Sequence, residues 1–227
     1  MRDLRTLAPE RVALTLIDLQ EEHRYDPRYL VAGFDQILAN AARLLDGARA
    51  AHMPVLHAKY VRNFERTPPR PFEPRAADGA PLFSDPSSSL ARICEEVEPQ
   101  SGEFVAEKDD ASAFTAPSYM TQLQAVSPDW LVICGVWTEA CVAATVRDAQ
   151  AAGLRVLLIK DACGSGTELM HEVGILNLAN RLYGGGVTDT ESALRLFAGE
   201  TVEVWQVRGS VPIRFTAESV AQEYRDL

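Results

Sequence analysis

Short, continuously apolar runs alternate with amphipathic stretches along this chain, and that alternation constrains the fold more than any other feature. Residues 12–17 read VALTLI and end at Asp18. A strand with no polar face is buried on both sides, as in a parallel sheet. Comparable runs lie at 54–58, 104–106, 130–134, 155–159 and 186–188. Between the first two, Ile37, Leu38, Ala41, Leu44, Leu45 and Ala48 recur at helical spacing over 35–52. Helices are expected also over 118–126, 139–153, 168–183 and 189–197, with Gly153 and Gly184 closing two of them. Strands alternating with helices supply the right-handed crossovers of a parallel sheet. The expectation is an α/β fold: an open, doubly wound, mostly parallel six-stranded sheet with helices on both faces, a Rossmann-like three-layer sandwich. Ligands of such sheets sit beyond the carboxyl ends of the strands. That rule directs attention to Asp18, Lys59, Tyr60, Lys108 and the segment after Cys134.

Composition narrows the class. The chain has 227 residues, enough for one domain over 1–227 that buries a core without staples. Apolar residues make up 47% and charged residues 24%, which argues against disorder. Lys and Arg total 22 against 32 Asp and Glu, a net charge of −10. An acidic surface is a poor match for a nucleic-acid backbone or an anionic membrane, so neither is an expected partner. Asp3, Glu10 and Asp18 interrupt the N-terminal stretch where a signal peptide needs an unbroken apolar run, so a cytoplasmic location is expected. Cys94, Cys134, Cys141 and Cys163 form no CxxC pair and no zinc-type spacing, and free thiols are the default.

Two regions break the rhythm. Residues 61–90 hold six prolines together with Arg62, Arg66, Arg70 and Arg75. A long irregular insertion of this kind is either functional or mobile; its arginines are either a basic lid for an anionic substrate or a solvated surface. Residues 200–227 form a C-terminal arm with an edge-strand pattern at 202–207, followed by Val211, Ile213 and Phe215. That apolar surface must be buried, against a second copy of the chain or back on the same one.

The segment 135–153, GVWTEACVAATVRDAQAAG, carries the clearest chemistry. A strand ends at Gly135, a turn follows, and Cys141 falls in the first turn of a helix. Unpaired amides and the positive end of the helix dipole converge there, a setting that depresses a thiol pKa towards the thiolate and that holds an oxyanion. The same position also suits a small buried residue with no chemistry. Asp18 is placed to take and return a proton, or to serve as a turn aspartate. Lys108, just past the strand at 104–106, would favour a thiolate and orient a carboxylate, and Lys59 competes with it on spacing alone.

Together these residues resemble the isochorismatase-like cysteine hydrolases over about residues 10–197. The carriers are Asp18-Leu19-Gln20 at the strand end, Lys108 with Ser112-Ala113-Phe114, and Gly135, Thr138, Cys141 and Val142 in register. Asp161-Ala162-Cys163 and His171 are also similar to the family's pattern. The resemblance implies a triad of Asp18, Lys108 and Cys141, attack of the sulfur on a carbonyl carbon, departure of ammonia or an amine, and a thioester resolved by water. It implies a cis peptide at Val136–Trp137 and an oxyanion hole from the amides of Trp137 and Cys141. Gln20, Tyr60, Arg62, Phe114, Trp137 and Thr138 are the expected substrate contacts.

The branch of the family follows from what is present and what is not. The nucleophilic Cys favours C–N hydrolysis over the vinyl-ether chemistry of true isochorismatases. The Asp-x-His metal motif of nicotinamidases is missing: Ala50 and Val55 stand two residues before His52 and His57. His57 then reads as a packed or substrate-touching strand-end histidine, and His52 as a helix terminus. The expectation is a metal-independent hydrolase without cofactor acting on a small amide, ureide or carbamoyl compound. The alternative is a vinyl-ether hydrolase or a non-catalytic binding member of the same fold. The resemblance also implies a homo-oligomer, a dimer or tetramer, with the arm at or near a subunit contact.

Overall fold

A computed structural model describes residues 1–227. One sheet of eight strands organises the chain: β1 (Arg2–Arg5), β2 (Val12–Ile17), β3 (Val55–Tyr60), β4 (Phe104–Lys108), β5 (Trp130–Val136), β6 (Arg155–Gly164), β7 (Gly186–Thr188) and β8 (Val202–Trp205). Their order is β1-β8-β7-β6-β5-β2-β3-β4. The six strands from β7 to β4 are all parallel and coincide with the six apolar runs. All residues of β2 and β5 are buried, as unbroken hydrophobicity requires.

The sheet has two strands more than expected, both antiparallel, and they extend one edge. β8 carries the edge pattern seen in the arm, whereas β1 reads RDLR and is mostly exposed. A strand that polar has no apolar signature of its own; it forms because β8 offers it an open row of backbone groups.

Helices α1 (Glu22–Tyr25), α2 (Phe34–Ala50), α3 (Pro117–Val126), α4 (Ala143–Ala151), α5 (Glu168–Ala179), α6 (Thr190–Phe197) and α7 (Val220–Arg225) complete the fold. The six apolar positions predicted for α2 are all buried, and α2 packs with α6 against the sheet. On the other side α4 packs on α5 and β6, and α3 on β4. No helix is long and apolar enough to cross a membrane.

The arm beyond β8 packs back on its own chain. Val220 and Leu227 are buried, Asn180 exchanges two hydrogen bonds with the backbone of Ile213, at 3.1 and 2.6 Å, and α7 lies against α5. Val202, Val204 and Trp205 are buried within the chain as well. Most of the apolar surface that suggested a subunit contact is therefore covered by one copy, with Val211 left exposed.

Connectivity places the ligand edge. From β2 the chain steps through β3 to β4 on one side, then crosses to β5 and continues to β7 on the other. The direction reverses between β2 and β5, so a crevice opens beyond their carboxyl ends. Gly135 lets those ends approach closely. It has φ +124°, and a Cβ there would lie 2.1 Å from the Ile17 carbonyl oxygen. Gly135→Ala should cost at least about 2 kcal/mol, since backbone must move to admit it. Gly79 also has positive φ, but a Cβ there meets nothing within 4 Å. Gly79→Ala should cost only about 1 kcal/mol. Paired denaturant titrations check this, and equal midpoint shifts would contradict it.

Candidate active site

The first candidate side chain is Asp18, at the end of β2. Its backbone sits at φ +49° while its amide donates to the Ala58 carbonyl, 2.8 Å away, so the turn is anchored to the neighbouring strand. Lys108 ends β4, two strands away, and its register partner on β3 is Tyr60. The lysine side chain passes the Tyr60 ring, with Nζ 4.8 Å from the ring centroid, and donates to Asp18 Oδ2 at 2.7 Å. Both side chains are almost fully buried. Lys59, the competitor, instead pairs with Glu107 at 3.0 Å on the surface.

The third side chain comes from the far side of the switch point. After β5 the Val136–Trp137 peptide is cis, and residues Thr138–Val142 form a wide helical turn that leads into α4. The Trp137 carbonyl accepts from the amides of Ala140 and Val142. Cys141 lies in this turn and is close enough to Asp18 and Lys108 to sense both charges. The expected triad thus converges from β2, β4 and the start of α4.

Electrostatics at the triad differ from the expected thiolate. Burial pushes the Cys141 thiol well above its ordinary pKa, Asp18 adds to that push, and Lys108 opposes without cancelling it. The resting sulfur is a protonated thiol. Burial also works against the Lys108 ammonium, but Asp18 and Cys141 outweigh it and the pKa rises, so the lysine stays charged. Asp18 Oδ1 is buried and without a hydrogen-bond partner, which leaves an open acceptor on that carboxyl group. Helix position and a nearby cation were visible in the sequence; depth of burial and the competing carboxylate were not.

The expected substrate contacts divide. Trp137 and Tyr60 are half-buried beside the triad. Phe114 is half-buried and packs on Tyr119 at 5.5 Å. Gln20 is committed elsewhere: its amide donates to the Tyr60 and Ala91 carbonyls and accepts from the Tyr60 amide, stitching three segments together. Thr138 is fully buried, donating to the Gly164 carbonyl at 3.0 Å and meeting His171 Nδ1 at 2.8 Å; it braces the turn. His171 in turn meets the Tyr224 hydroxyl of α7 at 3.0 Å. Arg62 is buried in a two-point pair with Glu73 and donates to the Thr67 carbonyl, so it holds the insertion together. His57 is packed, 3.2 Å from Glu103, and His52 follows α2 at φ +53°. No group of three His, Cys, Asp or Glu side chains is arranged to hold a metal ion.

Several residues at the site escaped the sequence reading. Glu22 is buried, accepts from the hydroxyl and amide of Ser84, and has its pKa pushed up to about 7 by burial, against the pull of those two donors. His23 is buried among Phe34, Phe83 and Trp137, at ring separations of 5.8, 6.0 and 6.2 Å. Its Nδ1 lies 3.2 Å from Trp137 Nε1 and 3.1 Å from the Tyr29 carbonyl, while Nε2 has no partner. Phe83 comes from the insertion and packs on Tyr29 and Tyr60. Glu22 and His23 follow Asp18 by four and five residues, a density of titratable groups at a strand end that was a usable signal. Nothing in the sequence distinguished Phe83 from Phe64 or Phe72.

Comparison with known proteins agrees with this geometry. The family model described as isochorismatase domain matches residues 12–192. The chain is 33% identical over 198 residues to maleamate amidohydrolase of Pseudomonas putida, covering 82% of this chain and 88% of that one. It is 27% identical over 211 residues to ureidoacrylate amidohydrolase of Acinetobacter baylyi, covering 84% and 85%. The crystal structure of an isochorismatase from Pseudomonas putida superposes with a TM-score of 0.69 at 26% identity, over 84% of this chain and 93% of that one.

The thiol assignment has a direct readout. Cys94, Cys134 and Cys163 are buried, so alkylation of the folded protein reports on Cys141. A raised pKa means that the thiolate fraction is small at pH 7 and grows as pH rises. Iodoacetamide labelling followed by mass spectrometry should be slow at neutral pH and still accelerating at about pH 9, whereas a plateau between about pH 5 and 7 would mean a resting thiolate.

Proposed function

Since the chain belongs to the isochorismatase family, we propose that it is a cysteine hydrolase that cleaves the C–N bond of a small amide, ureide or carbamoyl compound. The observation that carries this reading is the convergence of Asp18, Lys108 and Cys141, with a buried 2.7 Å ion pair beside a thiol at the start of a helix. Amidohydrolase relatives of the chain support the class of bond.

In this mechanism the Cys141 thiol passes its proton to Asp18 as sulfur attacks the carbonyl carbon. Lys108 keeps Asp18 oriented and offsets its charge. The amides of Trp137 and Cys141 receive the developing oxyanion, where fixed donors in a dry site are most effective. The tetrahedral intermediate collapses, and Asp18 returns the proton to the departing nitrogen, which leaves as ammonia or an amine. Water, deprotonated by Asp18, then attacks the thioester, and the proton passes back to Cys141 as the acid leaves. Using one carboxylate as base and then acid needs a proton shared closely with the thiol, which a protonated resting sulfur beside a bare carboxylate oxygen provides.

Cys141→Ser should leave the fold intact by circular dichroism and remove ammonia release from amide substrates, because a hydroxyl is a far weaker acid than a thiol. Retention of more than about a tenth of the activity, a loss under about 1.4 kcal/mol, would remove Cys141 from the role of nucleophile. Exhaustive chelation should leave activity unchanged. Loss of activity that zinc or iron restores would overturn the metal-free mechanism.

A further inference from the structure

The turn that carries Cys141 is held from behind by hydrogen bonds whose direction is fixed. Thr138 Oγ1 lies 3.0 Å from the Gly164 carbonyl and 2.8 Å from His171 Nδ1. A carbonyl only accepts, so the single hydroxyl hydrogen of Thr138 goes to Gly164 and the threonine oxygen accepts from His171. Nδ1 therefore carries the ring proton. Burial pushes the His171 pKa down to about 4, so the ring is neutral and Nε2 is bare. The Tyr224 hydroxyl, 3.0 Å from Nε2, then donates to it. Its other acceptor, the Lys160 carbonyl, is further away at 3.5 Å. Donation runs from Tyr224 to His171, to Thr138, to Gly164.

Both ends of this chain of bonds are anchored. Gly164 pairs with Val136 in the sheet, and a Cβ there would lie 2.2 Å from Ile37 Cδ1, so its carbonyl has a fixed place. A Cβ on Gly174 would lie 2.8 Å from Thr138 Cγ2, so α5 presses on the turn as well. At the far end, Lys160 Nζ donates to the Tyr224 and Arg225 carbonyls at 2.9 and 3.4 Å and lies 4.9 Å from the Tyr224 ring centroid. A cation on the last carbonyls of a helix holds that helix end in place. Tyr224 lies outside residues 12–192, the segment that the family model matches.

We propose that Tyr224 and His171 are positioning residues: with Thr138 they form a one-way hydrogen-bond chain through which the C-terminal arm sets the alignment of the Cys141 turn. The consequence for turnover rests on the hydrolase reading above; the order of the bonds does not. The turn so held includes the amides of Trp137 and Cys141, and donors aimed at an oxyanion lose their effect when they are displaced. Tyr224 and His171 act through Thr138 and the backbone of the turn.

Imidazole nitrogen NMR of the histidine-labelled full-length protein reads the order of donation. His171 should show a protonated Nδ1 and a bare Nε2, its signals assigned by their loss in His171→Asn; a ring protonated at Nε2 would overturn the inference. Tyr224→Phe keeps the ring against Lys160 and removes only the hydroxyl, and Thr138→Val keeps the shape of the side chain and removes the shared oxygen. Each should lower kcat for ammonia release from an amide about tenfold with KM changed less than about twofold, and the double variant should lose no more than the worse single. His171→Asn, whose side-chain amide can donate to Thr138, should keep a higher kcat than His171→Ala. Alkylation of Cys141 by iodoacetamide at about pH 9 needs no substrate: each single variant loosens the turn and should raise the rate about threefold, and the double variant no further. An unchanged alkylation rate in Tyr224→Phe, or effects that multiply in the double variant, would overturn the inference. Absence of ammonia release from any amide by the wild type, with alkylation still non-additive, would overturn the hydrolase reading and leave the positioning chain standing.

Discussion

The buried pair between Asp18 and Lys108 is the interaction on which the site depends. Two charges with almost no solvent contact survive only if each satisfies the other, and removing one partner from such a pair typically costs about 3–5 kcal/mol. The pair therefore fixes the geometry of everything that touches it. It ties the end of β2 to the end of β4 across β3, and it makes the Tyr60 ring, which lies between them, a permanent wall. It also decides the chemistry of Cys141. An ammonium already neutralised by a carboxylate does little to ionise a neighbouring thiol, so burial dominates and the sulfur keeps its proton. In the proposed mechanism, Cys141 and Asp18 are then two halves of one proton transfer, made when a carbonyl carbon arrives.

The second constraint is steric. β2 and β5 must end side by side for Asp18 and Cys141 to meet, and the pairing of Ile17 with Gly135 leaves no room for a side chain on β5. The reversal of strand order at the same place opens the crevice those two ends share. One glycine and one change of winding direction together turn a sheet edge into a site. The bracing lies outside: Thr138 and His171 link the turn that carries Cys141 to α7, so the C-terminal arm supports the site from behind while covering its own apolar surface.

The segment from Asp18 to His23 has an unusual concentration of duties. Asp18 holds Lys108, Gln20 ties β3 to the loop at Ala91, Glu22 grips Ser84, and His23 packs between Phe83 and Trp137. Through Glu22 and His23, the residues that follow Asp18 also locate the insertion. Of the arginines of residues 61–90, Arg62 is paired within the insertion and Arg66 and Arg70 with carboxylates beyond it, while Arg75 lies over the Phe64 ring.

Sequence alone determined the six parallel strands, the buried face of α2 and the placing of Asp18 and Cys141 at the ligand edge. Burial on both faces of a sheet leaves a one-dimensional mark, an unbroken apolar run, and the ends of such runs mark the edge directly. The tertiary structure decided the rest. It chose Lys108 over Lys59, because only Lys108 is carried inward past Tyr60. It added β1, whose polar residues pair only because β8 lies beside them. It turned Gln20, Arg62 and Thr138 from expected substrate contacts into braces, and brought Glu22, His23 and Phe83 to the site instead. Above all it set the protonation of Cys141, since the balance between a helix start, a cation, a carboxylate and lost water depends on distances between residues far apart in the chain, and no local pattern encodes those.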